Sequence, residues 1–137
     1  MIIASNGGAG MLLLCIALGG AIGALARYGL GGWIHSWAGT GFPWGTLVIN
    51  ISGSLVLGFS ARFLEALAAT AELRALITIG FLGAFTTFST FSYETAAMLQ
   101  DGQWTRAATY VFASVFLSLA GTFAGFAVAT VALQPRG

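Results

Sequence analysis

The residue types best suited to chemistry in this sequence lie inside its third apolar run. Residues 80–92 read GFLGAFTTFSTFS, which puts five hydroxyl side chains and two glycines into an otherwise apolar stretch. Gly83 followed by the β-branched pair Thr86 and Thr87 predicts a break in a helix there. A broken helix in a membrane survives only where it lines a cavity or is buried in protein, and its freed carbonyls can hold a cation. The alternative is a continuous helix whose hydroxyls bond their own carbonyls. Phe88 and Phe91 are three apart and share one helix face. They either pack or turn their electropositive ring edges toward an anion. In the last apolar run, Tyr110, Ser114, Ser118 and Thr122 recur every four residues. At 1.5 Å per residue that stripe is roughly 18 Å long, over half of a roughly 30 Å hydrocarbon core. Interhelical hydrogen bonds, worth about 0.6 kcal/mol each, are one use for it, and a path for a dehydrated ion is another. Asn50 adds an amide at membrane depth. No Asp or Glu falls at the centre of any apolar run, and Glu94, toward the end of the third, comes nearest. Hydroxyl and amide donors without acids suit a small anion better than a cation, for which a pore offers carboxylates or carbonyls. His35 is the sole histidine and falls in an expected loop. With no Ser/His/Asp or metal-ligand cluster, the chain is not expected to be an enzyme.

The elements that must position these groups follow from composition. The 137 residues are 58% hydrophobic and only 7% charged, whereas soluble domains run near a quarter charged. This predicts an all-α integral membrane protein, a single domain over 1–137, with four transmembrane helices at about 10–32, 44–64, 74–99 and 104–133. The third is expected to be broken near its middle. Trp33, Trp37, Trp44 and Trp104 fall at span ends, as an aromatic belt places them. No basic cluster precedes the first apolar run, so a cleaved signal peptide is not expected. Cys15 reads as a small buried hydrophobe. The net charge of +1 comes with no basic patch and argues against nucleic acid. Gly19 with Gly23, Ser54 with Gly58, and Gly121 with Gly125 are small pairs at four-residue spacing, which let helix backbones approach closely in lipid. Arg62, Arg74 and Arg136 fall on one side of the membrane, Arg27 and Arg106 on the other. That near-absence of bias is what a chain inserting in both orientations shows, or an ordinary small protein with few charges.

Three blocks of this sequence resemble the Fluc (CrcB-type) fluoride channel family: GGAIGALARY over Gly19–Tyr28, GTLVIN over Gly45–Asn50, and the third-run block just quoted. Together with the four-span layout they cover nearly the whole chain. The resemblance implies an antiparallel, dual-topology homodimer in the inner membrane that exports fluoride passively through two pores and gives fluoride resistance. It implies a structural sodium ion at the dimer centre, held by main-chain carbonyls at positions matching Gly83 and Thr86. Phe88 and Phe91 match its paired pore phenylalanines, Asn50 its pore asparagine, and Tyr110, Ser114, Ser118 and Thr122 its polar track. Arg27 matches an arginine near the aqueous vestibule. The partners expected are therefore fluoride, a second copy of the chain and the lipid bilayer. Two other readings are a proton-coupled small multidrug exporter, which lacks a central glutamate here, and a non-transporting membrane packing subunit.

Overall fold

A computed structural model describes residues 6–134, so Arg136, counted above, lies outside it. Every regular element among the described residues is helical. Helix α1 spans Asn6–Ala38 and α2 spans Trp44–Ala66. The third crossing, Ala71–Gln100, is composite. It starts as α3 (Ala71–Arg74), widens into a π-wound segment π1 (Ala75–Leu82), closes with α4 (Gly83–Phe85), and resumes as α5 (Phe88–Gln100). Helix α6 runs Trp104–Ala132. Four of these helical stretches are long and apolar enough to cross a membrane, and the chain is a multi-pass membrane protein.

Its burial pattern suits lipid rather than water. Leu13, Leu25, Phe112 and Phe123 face outward, while Thr46, Thr87 and Ser114 are buried. The close seams are built by small residues. On α2 a side chain at Gly58 would collide with the Thr122 carbonyl of α6, and one at Gly125 would meet the Leu55 carbonyl and the Phe59 amide. Gly121 lies against the Ile51 carbonyl, where an added Cβ would stand at 3.0 Å. Ser54, by contrast, faces a cavity. A second seam joins α1 to π1, where Gly19 and Gly23 meet the backbone of Leu76 and Phe81, and Gly80 meets Gly19 from the other side.

The end of the first helix departs furthest from the apolar runs. Helix α1 continues past Gly32 to Ala38 because Ile34 is buried and extends its packed face, and Gly39, at φ +75°, ends it. His35 is therefore in the last helical turn rather than in a loop. The π-wound segment had no sequence signal, since i→i+5 bonding leaves no distinctive composition.

The third span is interrupted at Thr86 and Thr87. Both are extended, Thr86 with ψ 159° and Thr87 with φ −150° and ψ 119°. The Thr86 N–H closes α4 on the Leu82 carbonyl at 3.0 Å. The Thr87 hydroxyl accepts from the Thr90 N–H at 3.2 Å and caps α5.

Candidate functional site

Asn50 explains why the helix stops where it does. Its Oδ1 accepts from the Thr87 N–H at 2.8 Å, and its Nδ2 donates to the Thr87 carbonyl at 2.9 Å. In a continuous helix the Thr87 N–H would bond the Gly83 carbonyl. Here the amide of α2 takes it instead, so the side chain replaces the ladder bond that the Thr87 N–H gives up at the break. Arg27, on α1, reaches the same region from the other side, its Nη1 standing 3.4 Å from the Thr86 carbonyl. A cation near carbonyls at a helix C-terminus is favourably placed.

A cavity of about 400 Å³ opens beside the break. Asn50, Phe88, Phe91, Ser114, Ser118 and Thr122 line it, with Thr86 and Thr87 at the wall. Residues from α2, α5 and α6 thus meet there. The Ser114 hydroxyl is buried close to the Tyr110 hydroxyl, yet it makes no hydrogen bond of ordinary length to a protein group among the described residues. Thr122 donates to the Ser118 carbonyl of its own helix at 3.1 Å. The phenylalanine rings tilt at 48° with centroids 5.5 Å apart. Because α5 begins at this wall, the partial positive charge of its N-terminus falls there as well.

Tyr110 shares the four-residue stripe but not the cavity. Its ring is fully buried, against Phe91 at 5.3 Å and edge-on to Phe42 at 5.5 Å. Its hydroxyl donates to Glu94 Oε2 at 2.6 Å, while Thr46 donates to Glu94 Oε1 at 2.9 Å. Glu94 and Thr46 line a second cavity of about 430 Å³ together with Arg27, His35, Thr90 and Thr87. Thr87 borders both cavities, so the Asn50–Thr87 contact stands between them. Gly83 lines neither cavity and is exposed.

The family resemblance implied pore roles for seven residues, and six of them line this one cavity, while Tyr110 packs against Phe91 and bonds Glu94. It passed over Glu94 and Thr46 as participants. A carboxylate inside an apolar span, with a threonine one turn before Asn50, was the available signal.

The chain matches the family described as CrcB-like protein, Camphor Resistance (CrcB), over residues 14–126. A protein of Thermus thermophilus, named fluoride-specific ion channel FluC, is 48% identical over 113 residues, covering 82% of this chain and 89% of that one. A protein of the same name from Geobacter sulfurreducens is 50% identical over 118 residues, 85% of this chain and 95% of that one. A third, from Geobacter metallireducens, is 48% identical over 120 residues, 87% of this chain and 97% of that one.

Proposed function

This chain belongs to the CrcB-like protein family, and we propose from that premise that it is a fluoride-specific ion channel through which fluoride crosses the membrane passively. The observation that carries the reading is the buried Ser114 hydroxyl, unpartnered among the described residues, in a cavity walled by Asn50, Phe88, Phe91, Ser118 and Thr122, with no carboxylate among the described residues that line it. Fluoride is small and tightly hydrated, so a pore must replace its water with several donors at once. Hydroxyls and aromatic edges do so without trapping the ion as a fixed ammonium would, and the Asn50 amide, through its bonds to Thr87, holds the wall that presents them. A proton-coupled multidrug exporter would need a carboxylate free to trade protons with its cargo. Glu94 is instead tied by Thr46 and Tyr110 and stands outside that cavity.

The assembly we propose is an antiparallel, dual-topology homodimer in the inner membrane, with one pore lined mainly by each set of these residues. Phe88, at 79% exposed, and the exposed Gly83 support it. A helix break turned toward lipid would leave backbone groups unsatisfied, and a second copy over that face would cover them. The same face supports a structural sodium ion. With the Thr87 N–H turned to Asn50, the Gly83 carbonyl has lost its ladder donor, and the Thr86 carbonyl points out of the interrupted turn toward Arg27. Such oxygens suit a hard cation, and a second copy would double their number. An ion bound there would raise the potential for an anion in low-dielectric surroundings. In this reading Arg27 serves the aqueous vestibule, where it lines the cavity that meets the pore at Thr87.

Efflux of fluoride and of chloride from liposomes holding the purified chain tests the function. Rapid fluoride loss with chloride retained is expected. In the Phe88→Ile variant fluoride loss should slow while the oligomer stays intact on size exclusion. A well-folded wild-type protein that releases no fluoride would sink the proposal.

A further inference from the structure

At the end of the molecule where α1 gives way to α2, His35 stands between two openings. It lines the Arg27 cavity and also a neighbouring one of about 320 Å³ that reaches Asp101 and Arg106. Its position in the last turn of α1 leaves the imidazole exposed to water. The charged groups lining the two openings come from three helices and one turn, while α2 contributes only uncharged residues. Arg27 comes from α1, Glu94 from α5, Asp101 from the turn that follows and Arg106 from α6, with Tyr28 and Tyr93 as the phenols. Two cations against two carboxylates leave this mouth with no net sign of its own. Arg106 is further held to the Gln103 side chain at 2.9 Å, and Glu94 to Thr46 and Tyr110. An anion channel whose entrance is balanced in this way has one group left that can tip it.

We propose that His35 is the anion-recruiting residue of this mouth, drawing fluoride in when protonated and leaving the entrance without net attraction when neutral. The inference rests on the channel reading above. Histidine is the side chain whose charge ordinarily changes between about pH 5 and 8, a window outside which carboxylates and phenols ordinarily titrate. A charge in a cleft raises the local concentration of its counter-ion. One unit charge about 10 Å away in water changes that concentration roughly twofold, and salt screens the effect. The consequence is an entry rate that rises as pH falls, through a residue that touches neither the pore cavity nor the break.

The test is fluoride efflux from proteoliposomes at fluoride well below saturation, at about pH 8 and about pH 5.5. Rates are taken after subtracting protein-free liposomes, which removes hydrogen fluoride crossing the lipid. In buffer of about 0.01 M ionic strength or less the wild type should run close to twofold faster at the lower pH, and the ratio should fall toward one in about 1 M inert salt. His35→Gln should run at the slow rate at both values, and His35→Lys at the fast rate at both. A wild-type pH ratio retained in His35→Gln would overturn the inference, as would a slow His35→Lys at the higher pH. Should His35→Gln fail to fold, His35→Lys and the wild-type salt series decide the matter. A wild type that carries no fluoride at either pH would remove the channel reading and this inference with it, whereas flux without the pH step removes the inference alone.

Discussion

Asn50 and Ser114 share a cavity and differ in what they hold. Asn50 commits both ends of its amide to the Thr87 peptide. Asn50→Asp keeps the acceptor for the Thr87 N–H but sets an oxygen against the Thr87 carbonyl. Losing that bond should cost about 1–3 kcal/mol, read as a lower unfolding temperature together with lost fluoride flux. Ser114 holds no protein group, so Ser114→Ala should leave the unfolding temperature unchanged and slow fluoride about five- to tenfold, the effect of one neutral donor. Melting and flux therefore separate a residue that builds the site from one that serves the ion. At this scale the four-residue period brought Ser114, Ser118 and Thr122 to one place. It did not bring Tyr110 to that lining, because a phenol hydroxyl stands at the far end of a ring and reaches a neighbouring helix that a serine at the same position would not. What it reaches is Glu94, whose partner lay sixteen residues away and in no periodic pattern.

The third span shows what an element contributes beyond its residues. Its halves are joined by two extended threonines, with α5 capped by Thr87 and π1 seated on the glycines of α1. The α2–α6 seam sets the frame against which that break is placed, since Asn50 rides on α2 and Ser114 on α6. Gly58→Ala puts a methyl group into the Thr122 carbonyl. Overpacking of this kind costs about 1–3 kcal/mol, so the variant should unfold at lower temperature in detergent and lose flux through a displaced stripe. Gly29→Ala, with nothing within 4 Å of the added atom, should be neutral or slightly stabilising. Equal losses from the two would mean that glycine flexibility, rather than the seam, is what matters. The small pairs were legible before the structure because close approach in lipid demands small residues whatever the partner. Which helix each pair meets was not, and the π-wound stretch was not legible at all.

At the scale of the molecule, the charge balance bears on assembly. Arg27 and Arg106 belong to the end that carries His35, Arg62 and Arg74 to the opposite end, so the described arginines offer almost nothing to orient insertion. The dual-topology dimer proposed here predicts that a cysteine at Asp101, in a Cys15→Ala background, is labelled from outside by a membrane-impermeant maleimide in about half of the molecules. The rest should react only after permeabilisation. Labelling from one side alone would rule out both the dual topology and the antiparallel pair, while leaving the cavity and its donors as they stand.

The sequence by itself determined the membrane class, the number of crossings and the small faces along which helices pack. These are local properties: a bilayer sets the length and apolarity of each span, and no distant residue changes that requirement. It also determined which side chains were available as donors. The tertiary structure alone decided how they are used. The bonds that matter most join residues 37 apart, Asn50 with Thr87, and 48 apart, Thr46 with Glu94. No helical period relates such positions; they meet because the glycine seams fix how the helices cross. Whether a polar group inside the membrane ends up satisfied, as Asn50 does, or open, as Ser114 does, depends on that crossing and not on the residue.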